Sequence, residues 1–432
     1  MRILAKDIKQ AAQEKPSEKV EVKGWVHRIR ELGGITFVIL RDPSGLLQLV
    51  LETPPEFTLE TIIQAVGFPG LNDKAPGGVE LKVCSLECIS KPIGELPYQV
   101  NGDPGKIGIE AILDHRSLSL RNPKIRAIFK IQSTIIEAFA AYFRGQDFTE
   151  IKTSKLVGSG TEGGTELFEV EYFNRKVYLA QSPQLYKQTM VASGLERVFE
   201  IAPAYRAEKH DTPRHLNEYV SMDIEMGFIE SEKDLIELEK GMLAYIFEEV
   251  ARKNKNELEM YQATVPNGEA VFRAPIVPYE EALKIASAEA MAKGSGRIFD
   301  INPEAERFLW DWSLREHGTD LVFVNEFPRR HRPFYTYPLD VVRTMSFDAL
   351  FRGLEITTGG RRQHDYNALL EALPKFGLKP ENLKSYLSVF KYGCPPHGGF
   401  AVGCERLTQK ILGLNNVKEA SLFPRDRKRV EP

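Results

Sequence analysis

The sequence predicts an α+β protein in two parts, a small β-barrel followed by a larger domain whose antiparallel sheet is flanked by helices. Three observations predict it. Two early runs alternate apolar and polar residues, the spacing turns helical after Asn122, and beyond that extended runs lie among helices without a βαβα alternation.

In the first part, Val20–Ile29 and Ile35–Leu51 carry the period-two pattern, and Gly33-Gly34 and Asp42-Pro43-Ser44-Gly45 supply turns, so a β-meander is expected. A helical or irregular segment is expected around Phe57–Val66, a Gly/Pro-rich loop near Gly67–Gly78, and strands near Val79–Ser90 and Ile107–Leu113. Five short strands with one interruption suit an OB-type barrel, with a generic β-domain as the alternative. From Asn122, Ile128, Ile131, Ile135, Phe139 and Phe143 recur at helical spacing. Strands are expected at Val177–Ala180, Val198–Ala202, Tyr219–Gly227, Gly353–Thr357 and Gly399–Gly403. Helices are expected at Gln184–Ser193, Glu232–Lys253, Ala368–Lys375, Glu381–Phe390 and Arg406–Leu412. Residues 254–340 carry the weakest pattern and read as an insertion that supplies part of a substrate site. The division is a barrel at 1–112, a hinge or linker at 113–130 and the larger domain at 131–432.

The 432 residues are 42% hydrophobic, ample for two cores, and the net charge of −3 places any nucleic-acid contact on local patches rather than an overall field. The N-terminus becomes charged before any apolar run of signal length, and no uncharged stretch approaches the length of a membrane span. A cytoplasmic protein with no membrane contact is expected. Cys84, Cys88, Cys394 and Cys404 show no C-x₂-C spacing, and Cys394 with His397 lacks a matching second pair. Reduced thiols, not a zinc site, are expected.

Chemistry concentrates in a few stretches. Phe199–Phe228 sets two apolar runs around a loop bearing Arg206, Glu208, Lys209, His210, Arg214 and His215. Near the C-terminus, GGFAVGCERL places Gly398, Gly399 and Gly403 on a strand that leads into a helix with Arg406. Between them, FDALFRGLE and GLEITTGGRRQHDY bring Asp348 and Glu355 close, as two carboxylates near a triphosphate would be for holding Mg²⁺. TEGGTE at 161–166 and QSPQLYKQ at 181–188 complete the set.

The first two stretches resemble motifs 2 and 3 of class II aminoacyl-tRNA synthetases. The others resemble most closely the aspartyl-tRNA synthetases of the archaeal and eukaryotic type, in class IIb. The resemblance runs through nearly the whole chain, including RSLSLRNPKIRAIFKIQS and LFPRDRKR. It implies an OB-fold anticodon-binding barrel followed by a class II catalytic domain. The implied reaction activates L-aspartate with ATP, releases pyrophosphate and transfers aspartate to the 3′-terminal adenosine of tRNA(Asp), leaving open whether tRNA(Asn) is also charged. Within the ATP site, the resemblance assigns Arg206 to the α-phosphate, Glu208 to the adenine amino group, His215 to the outer phosphates, and Arg406 to stacking on adenine. Arg214, Gly403 and Glu355 also belong to that site, and Asp348, Glu355 and Thr358 to Mg²⁺. For aspartate it implies Lys187 and Arg362 at the side-chain carboxylate, where two positive charges offset its desolvation. Gln184 and Asp223 would meet the α-ammonium, with Glu166, Ser182 and Thr358 nearby. In the barrel, Phe37 and Gln48 would stack on and read an anticodon base, with Arg28 or Arg30 at a phosphate or base and His27 near the third base. Phe37 as barrel core is the alternative.

Three departures stand out. Ser154 occupies the place of the proline that closes motif 1, the element of the implied homodimer; Ala401 replaces a glycine; and Thr358 stands where serine is frequent. An asparaginyl enzyme, an asparagine-forming paralogue or a non-catalytic tRNA-binding relative are the competing readings. Lys187 opposes the first, the anticodon barrel the second, and the retained Arg206, Glu208, Glu355 and Arg406 the third.

Overall fold

The computed structural model describes residues 2–158 and 167–431. The chain forms two compact units, Met1–Ile112 and Leu113–Pro432.

In the first unit, β1 (Val20–Leu32), β2 (Ile35–Arg41), β3 (Leu46–Leu51), β4 (Ile62–Leu71) and β5 (Val79–Ser90) close a barrel in the order β1-β2-β3-β5-β4. Alternate residues point inward, so Val22, Val26, Val38, Leu40, Leu47, Leu49, Ile63, Ala65 and Leu81 fill the interior. Two expectations fail here. The segment expected as helical or irregular becomes β4 from Ile62 onward, and the strand runs to Leu71 through the start of the expected Gly/Pro-rich loop, because its inward residues Ile63 and Ala65 are buried and its backbone bonds to both β1 and β5. Apolar residues on its outer side, Ile62 and Val66, had blurred the alternation. Conversely, Ile107–Leu113 is no strand: Ile109–Asp114 is helical, and its β-branched content did not prevail over its surroundings.

Residues 113–130, expected as a hinge, are mostly helical and belong to the second unit. Arg116 is buried and donates to the carbonyls of Glu419 and Leu422, while Ile125 and Ile128 enter the main core. The helix Pro123–Arg144 begins at Asn122, whose side chain accepts from the Lys124 N–H, with proline in the first turn.

The second unit is built on β6 (Thr149–Glu150), β10 (Arg197–Tyr205), β11 (Glu218–Gly227), β12 (Ile276–Pro278), β13 (Leu321–Asn325), β14 (Ser346–Phe351), β15 (Leu354–Arg362) and β16 (His397–Gly403). They lie in the order β12-β13-β14-β15-β16-β11-β10-β6, antiparallel except for the β12/β13 and β6/β10 pairs. The strands β7 (Leu156–Val157), β8 (Glu169–Tyr172) and β9 (Arg175–Leu179) form a separate small sheet. One face of the large sheet is covered by Pro123–Arg144 and Glu232–Lys253, where Phe139, Phe143 and Phe247 pack with Phe199, Phe347 and Phe400. Within residues 254–340 a further core forms around Ala282, Ala286, Phe308 and Leu309, while Leu258, Val271 and Phe323 join the main one. No helix among the described residues is long and apolar enough to cross a membrane.

Candidate active site

Period-two geometry sorts the central strands. On β11, Met222 and Ile224 enter the core, whereas Ser221, Asp223 and Glu225 project from the opposite face, and on β16 Phe400 and Val402 are core while Ala401 and Gly403 line a cavity. That cavity measures about 400 Å³. Its wall combines β11, β15 and β16 with the β10–β11 loop and the helix Gln184–Met190.

At one end sits a buried ionic network. Lys187 Nζ donates to Asp223 Oδ1 at 2.9 Å and to the Ile224 carbonyl at 3.1 Å, and lies 3.4 Å from Glu225 Oε2. Arg362 Nε donates to Glu225 Oε1 at 3.0 Å, and its Nη2 donates to the Gly399 carbonyl at 2.9 Å and to Gln184 Oε1 at 3.3 Å. Ser221 Oγ donates to Asp223 Oδ2 at 2.5 Å. Thus Lys187, Arg362, Gln184 and Asp223 are brought together as the sequence implied, and Ser182 lines the same cavity with its Oγ accepting from the Gln184 N–H.

One element of the expectation changes. Lys187 and Arg362 are not uncompensated charges awaiting a carboxylate, because Asp223 and Glu225 already neutralise them. Burial opposes ionisation of Glu225, but Arg362 and Lys187 outweigh it and hold that carboxyl below the usual range. At this end donor geometry rather than net charge would tell a carboxylate from an amide: neither Lys nor Arg can accept a hydrogen bond, so the N–H₂ of an amide would face donors. Glu225 was missed, although its place two residues after Asp223 on a strand put it on the same face. Gly399 is required here, since a Cβ would collide with the Ile224 carbonyl and the Glu225 carboxylate. Glu166 lies outside the described residues.

The other end is rich in arginine. Arg206, at the end of β10, lines the cavity with its guanidinium 5.7 Å from the Tyr219 ring. Arg406 Nη1 donates to the Glu355 carbonyl at 3.1 Å and lies 3.5 Å from Glu355 Oε1. Glu208, Arg214, His215 and Gly403 line the same space. Burial, helped by Arg406 and Arg214 and opposed by Glu208, lowers the His215 pKa, so its ring favours the neutral form. Arg214 is anchored from behind by Glu306, from the segment that was least legible.

Asp348 and Thr358 are paired across β14 and β15, and Thr358 Oγ1 donates to Glu355 Oε1 at 3.1 Å. Arg332 Nη2 lies 2.8 Å from Asp348 Oδ1, yet that oxygen has no well-aligned donor among the described residues. Burial raises the pKa of Asp348 against the pull of Arg332, whereas in Glu355 the effect of burial is overcome by Arg406, Arg332 and Arg206. No cluster of three or more His, Cys, Asp or Glu ligands occurs among the described residues. A cation here would take two carboxylates and leave its other positions to phosphates and water, which suits Mg²⁺. Arg332, like Glu225, was missed; its signal was faint, since its partner is 16 residues further along the chain.

In the barrel unit, Phe37 lies on the outer face and is half-buried, not core. Arg30 is its cross-strand neighbour on β1, and Arg28, beyond a bulge after Val26, pairs with Ile39, itself paired with Gln48. Arg28, Arg30, Phe37 and Gln48 thus share one surface. Gln48 Nε2 donates to Glu80 Oε2 at 3.0 Å, which also accepts from Asn72 at 2.7 Å, so Glu80 fixes the amide. His27 Nδ1 accepts from Arg41 Nη1 at 3.0 Å, and burial together with Arg41 lowers its pKa to about 4. Its free edge can therefore offer only the Nε2–H donor. Arg41 is itself paired with the buried Glu60 at 2.7 Å.

Family comparison matches both units. The model for class II tRNA synthetases (D, K and N) matches residues 108–427, and that for the OB-fold nucleic acid binding domain matches residues 20–89. A closed five-stranded barrel and an arginine-rich cavity on an antiparallel sheet are the parts of such an enzyme, and the chain belongs to the class II aminoacyl-tRNA synthetases. It is 45% identical over 432 residues to the aspartate–tRNA(Asp/Asn) ligase of Thermus thermophilus, covering 100% of both chains. To the aspartate–tRNA(Asp) ligase of Pyrococcus horikoshii it is 40% identical, covering 97% of this chain and 98% of that one. Among solved structures, asparaginyl-tRNA synthetase from P. horikoshii with asparaginyl-adenylate aligns with a TM-score of 0.89 at 30% identity, covering 98% of each chain. A putative aspartyl-tRNA synthetase from Leishmania major aligns at 0.88 and 28% identity, covering 100% of this chain and 95% of that one. Within its class the chain is an aspartate–tRNA ligase.

Proposed function

We propose that the cavity forms aspartyl-adenylate with Lys187 and Arg362 donating to the substrate's side-chain carboxylate and Asp223 and Gln184 accepting from its α-ammonium. The observation that carries this reading is the convergence of Lys187, Arg362, Asp223 and Glu225 at the closed end of the cavity, next to the arginine-rich end. Substrate binding exchanges partners within a network that is already neutral, so the two donor groups need no net change of charge.

Arg206 and Arg406 take the ATP end. Attack of the aspartate α-carboxylate on the α-phosphorus breaks the bond to pyrophosphate and spreads negative charge over the phosphate oxygens, and a fixed guanidinium at Arg206 stabilises it. Arg406 lies along adenine, Glu208 accepts from its amino group, and Arg214 and His215 meet the outer phosphates. Class II synthetases use ATP with Mg²⁺. Asp348, Glu355 and Thr358 would hold that ion, which would offset the negative charge of the triphosphate.

The barrel reads the anticodon through Phe37 and Gln48, with Arg28 and Arg30 supplying charge and His27 a donor near the third base. tRNA(Asp) is the acceptor, and tRNA(Asn) is a second one; the greater identity to the relative named for both tRNAs supports the latter. The homodimer and cytoplasmic setting rest on the family likeness. Ser154, at the position where motif 1 ordinarily ends in proline, is exposed and donates to the Leu156 carbonyl at 2.9 Å. Aspartate-dependent ATP–pyrophosphate exchange, followed by charging of both purified tRNAs, tests the reading. Exchange driven equally by asparagine defeats the amino-acid assignment, and failure to charge tRNA(Asn) defeats the second acceptor.

A further inference from the structure

We propose that Glu306 is the positioning residue that aims Arg214 at the outer phosphates of ATP and at the pyrophosphate released. The inference rests on the reading of Arg214 as a triphosphate contact.

Glu306 sits in the first turn of the helix Pro303–His317, within the segment read from the sequence as an insertion that supplies part of a substrate site, and is only 4% exposed. Both its carboxylate oxygens lie 2.7 Å from Arg214 Nη2. Arg214 lines the catalytic cavity and Glu306 does not, so the carboxylate grips the guanidinium from behind. Among the described residues only Nη2 of that guanidinium is engaged, which leaves Nε and Nη1 available to a ligand in the cavity that Arg214 lines. A planar fork held at one corner presents its remaining donors in a fixed direction, so fewer rotamers are lost when a phosphate arrives.

The surrounding loop is fixed independently. The Val417 N–H donates to the Pro213 carbonyl at 2.9 Å, Lys418 Nζ donates to Asp211 Oδ1 at 2.8 Å, and Thr212 Oγ1 lies 2.6 Å from His215 Nδ1. The C-terminal segment thus holds the loop backbone while Glu306 holds one side chain of it. Losing the carboxylate frees the Arg214 side chain and leaves the loop in place. Burial raises the Glu306 pKa and Arg214 pulls it back, so the two charges depend on each other.

The test is aspartate-dependent ATP–pyrophosphate exchange with the full chain. Glu306→Ala should raise KM for ATP and for pyrophosphate by about 5–30-fold, with Glu306→Gln intermediate and kcat and the aspartate KM changing by less than about 3-fold. Arg214→Ala should raise the same two constants, and the Arg214→Ala/Glu306→Ala double variant should be no worse than Arg214→Ala alone. Additive losses in the double variant, or an unchanged ATP KM in both Glu306 variants while Arg214→Ala raises it, overturn the proposal. A lowered ATP KM also overturns it, since Glu306 would then be parking Arg214 away from substrate. If Arg214→Ala itself leaves both constants unchanged, the reading of Arg214 fails instead. Should Glu306→Ala unfold, the isosteric Gln variant and its double with Arg214→Ala decide.

Discussion

Lys187→Met is the sharpest perturbation of the amino-acid end, because in the proposed reading the ammonium serves the protein and the substrate at once. In the folded protein it holds Asp223 Oδ1 at 2.9 Å and the Ile224 carbonyl at 3.1 Å in a fully enclosed position. Removing one partner of a buried pair costs about 3–5 kcal/mol, so the variant should unfold at lower temperature but remain native at 25 °C. Toward aspartate, loss of a charge-assisted hydrogen bond costs about 1.5–3 kcal/mol, and release of Asp223 from its fixed orientation costs about 1–3 kcal/mol more. Together these lower kcat/KM for aspartate by about 10²–10⁴-fold. Asparagine suffers only from the displaced Asp223, a loss of about 10–10²-fold, so the preference for aspartate should shrink by a similar factor. ATP–pyrophosphate exchange with each amino acid, run beside a thermal melt, reads all three quantities. Equal losses for the two amino acids would mean that Lys187 holds Asp223 and does not read the side-chain carboxylate, and an unaltered aspartate rate would remove it from the site.

At the ATP end, Arg206→Ala and Arg406→Ala should each slow adenylate formation by about 10²–10³-fold while the melting temperature moves little; near-normal exchange in either refutes its role. Phe37→Ala should weaken tRNA recognition by about 1–3 kcal/mol in charging assays and leave tRNA-free exchange intact, and equal damage to both activities would refute the division of labour between the units. Glu239 is buried near Thr357 and Asp348 with neither oxygen in a well-formed hydrogen bond among the described residues, and burial pushes its pKa up to about 8. Its folded pKa lies above the unfolded one, so its stabilising contribution is complete below about pH 4.3 and is lost as pH rises toward 8, at up to about 1.4 kcal/mol per unit. Glu239→Gln should flatten that decline and melt above the wild type at pH 8.5, and parallel melting curves for the two proteins from pH 5 to pH 8.5 would disprove it.

Legibility followed the strength of local patterns. Glu232–Lys253 was readable to the residue because a capping box, Ser231 with Asp234, coincides with the onset of a long helical stripe. The strand Ile62–Leu71 was not, since both of its faces carry apolar side chains and neither period prevails. In the site, Lys187, Arg362 and Asp223 were recognisable as chemistry within short motifs. The groups that hold them or their neighbours were harder: Glu306 restrains Arg214 from 92 positions away, and Arg332 faces Asp348 only through the path of an irregular segment. Such pairings are settled by tertiary packing, which no short window of sequence contains. Glu225 is the exception, because strand geometry alone placed it beside Asp223.

The position of β16 in the large sheet governs how the catalytic unit comes into being. It is the last of the sheet's strands in chain order, yet it lies between β15 and β11 and bonds to both. During synthesis the sheet therefore exists as two halves, one ending at β15 and the other at β11, each presenting an unpaired row of N–H and C=O groups. Glu225 and Arg362, which sit on those two edges, have no fixed separation until His397–Gly403 slots between them. A nascent or truncated chain lacking that segment would have two sticky edges and no such cavity, so the arrival of His397–Gly403 closes the stage of greatest aggregation hazard and completes the cavity in one step.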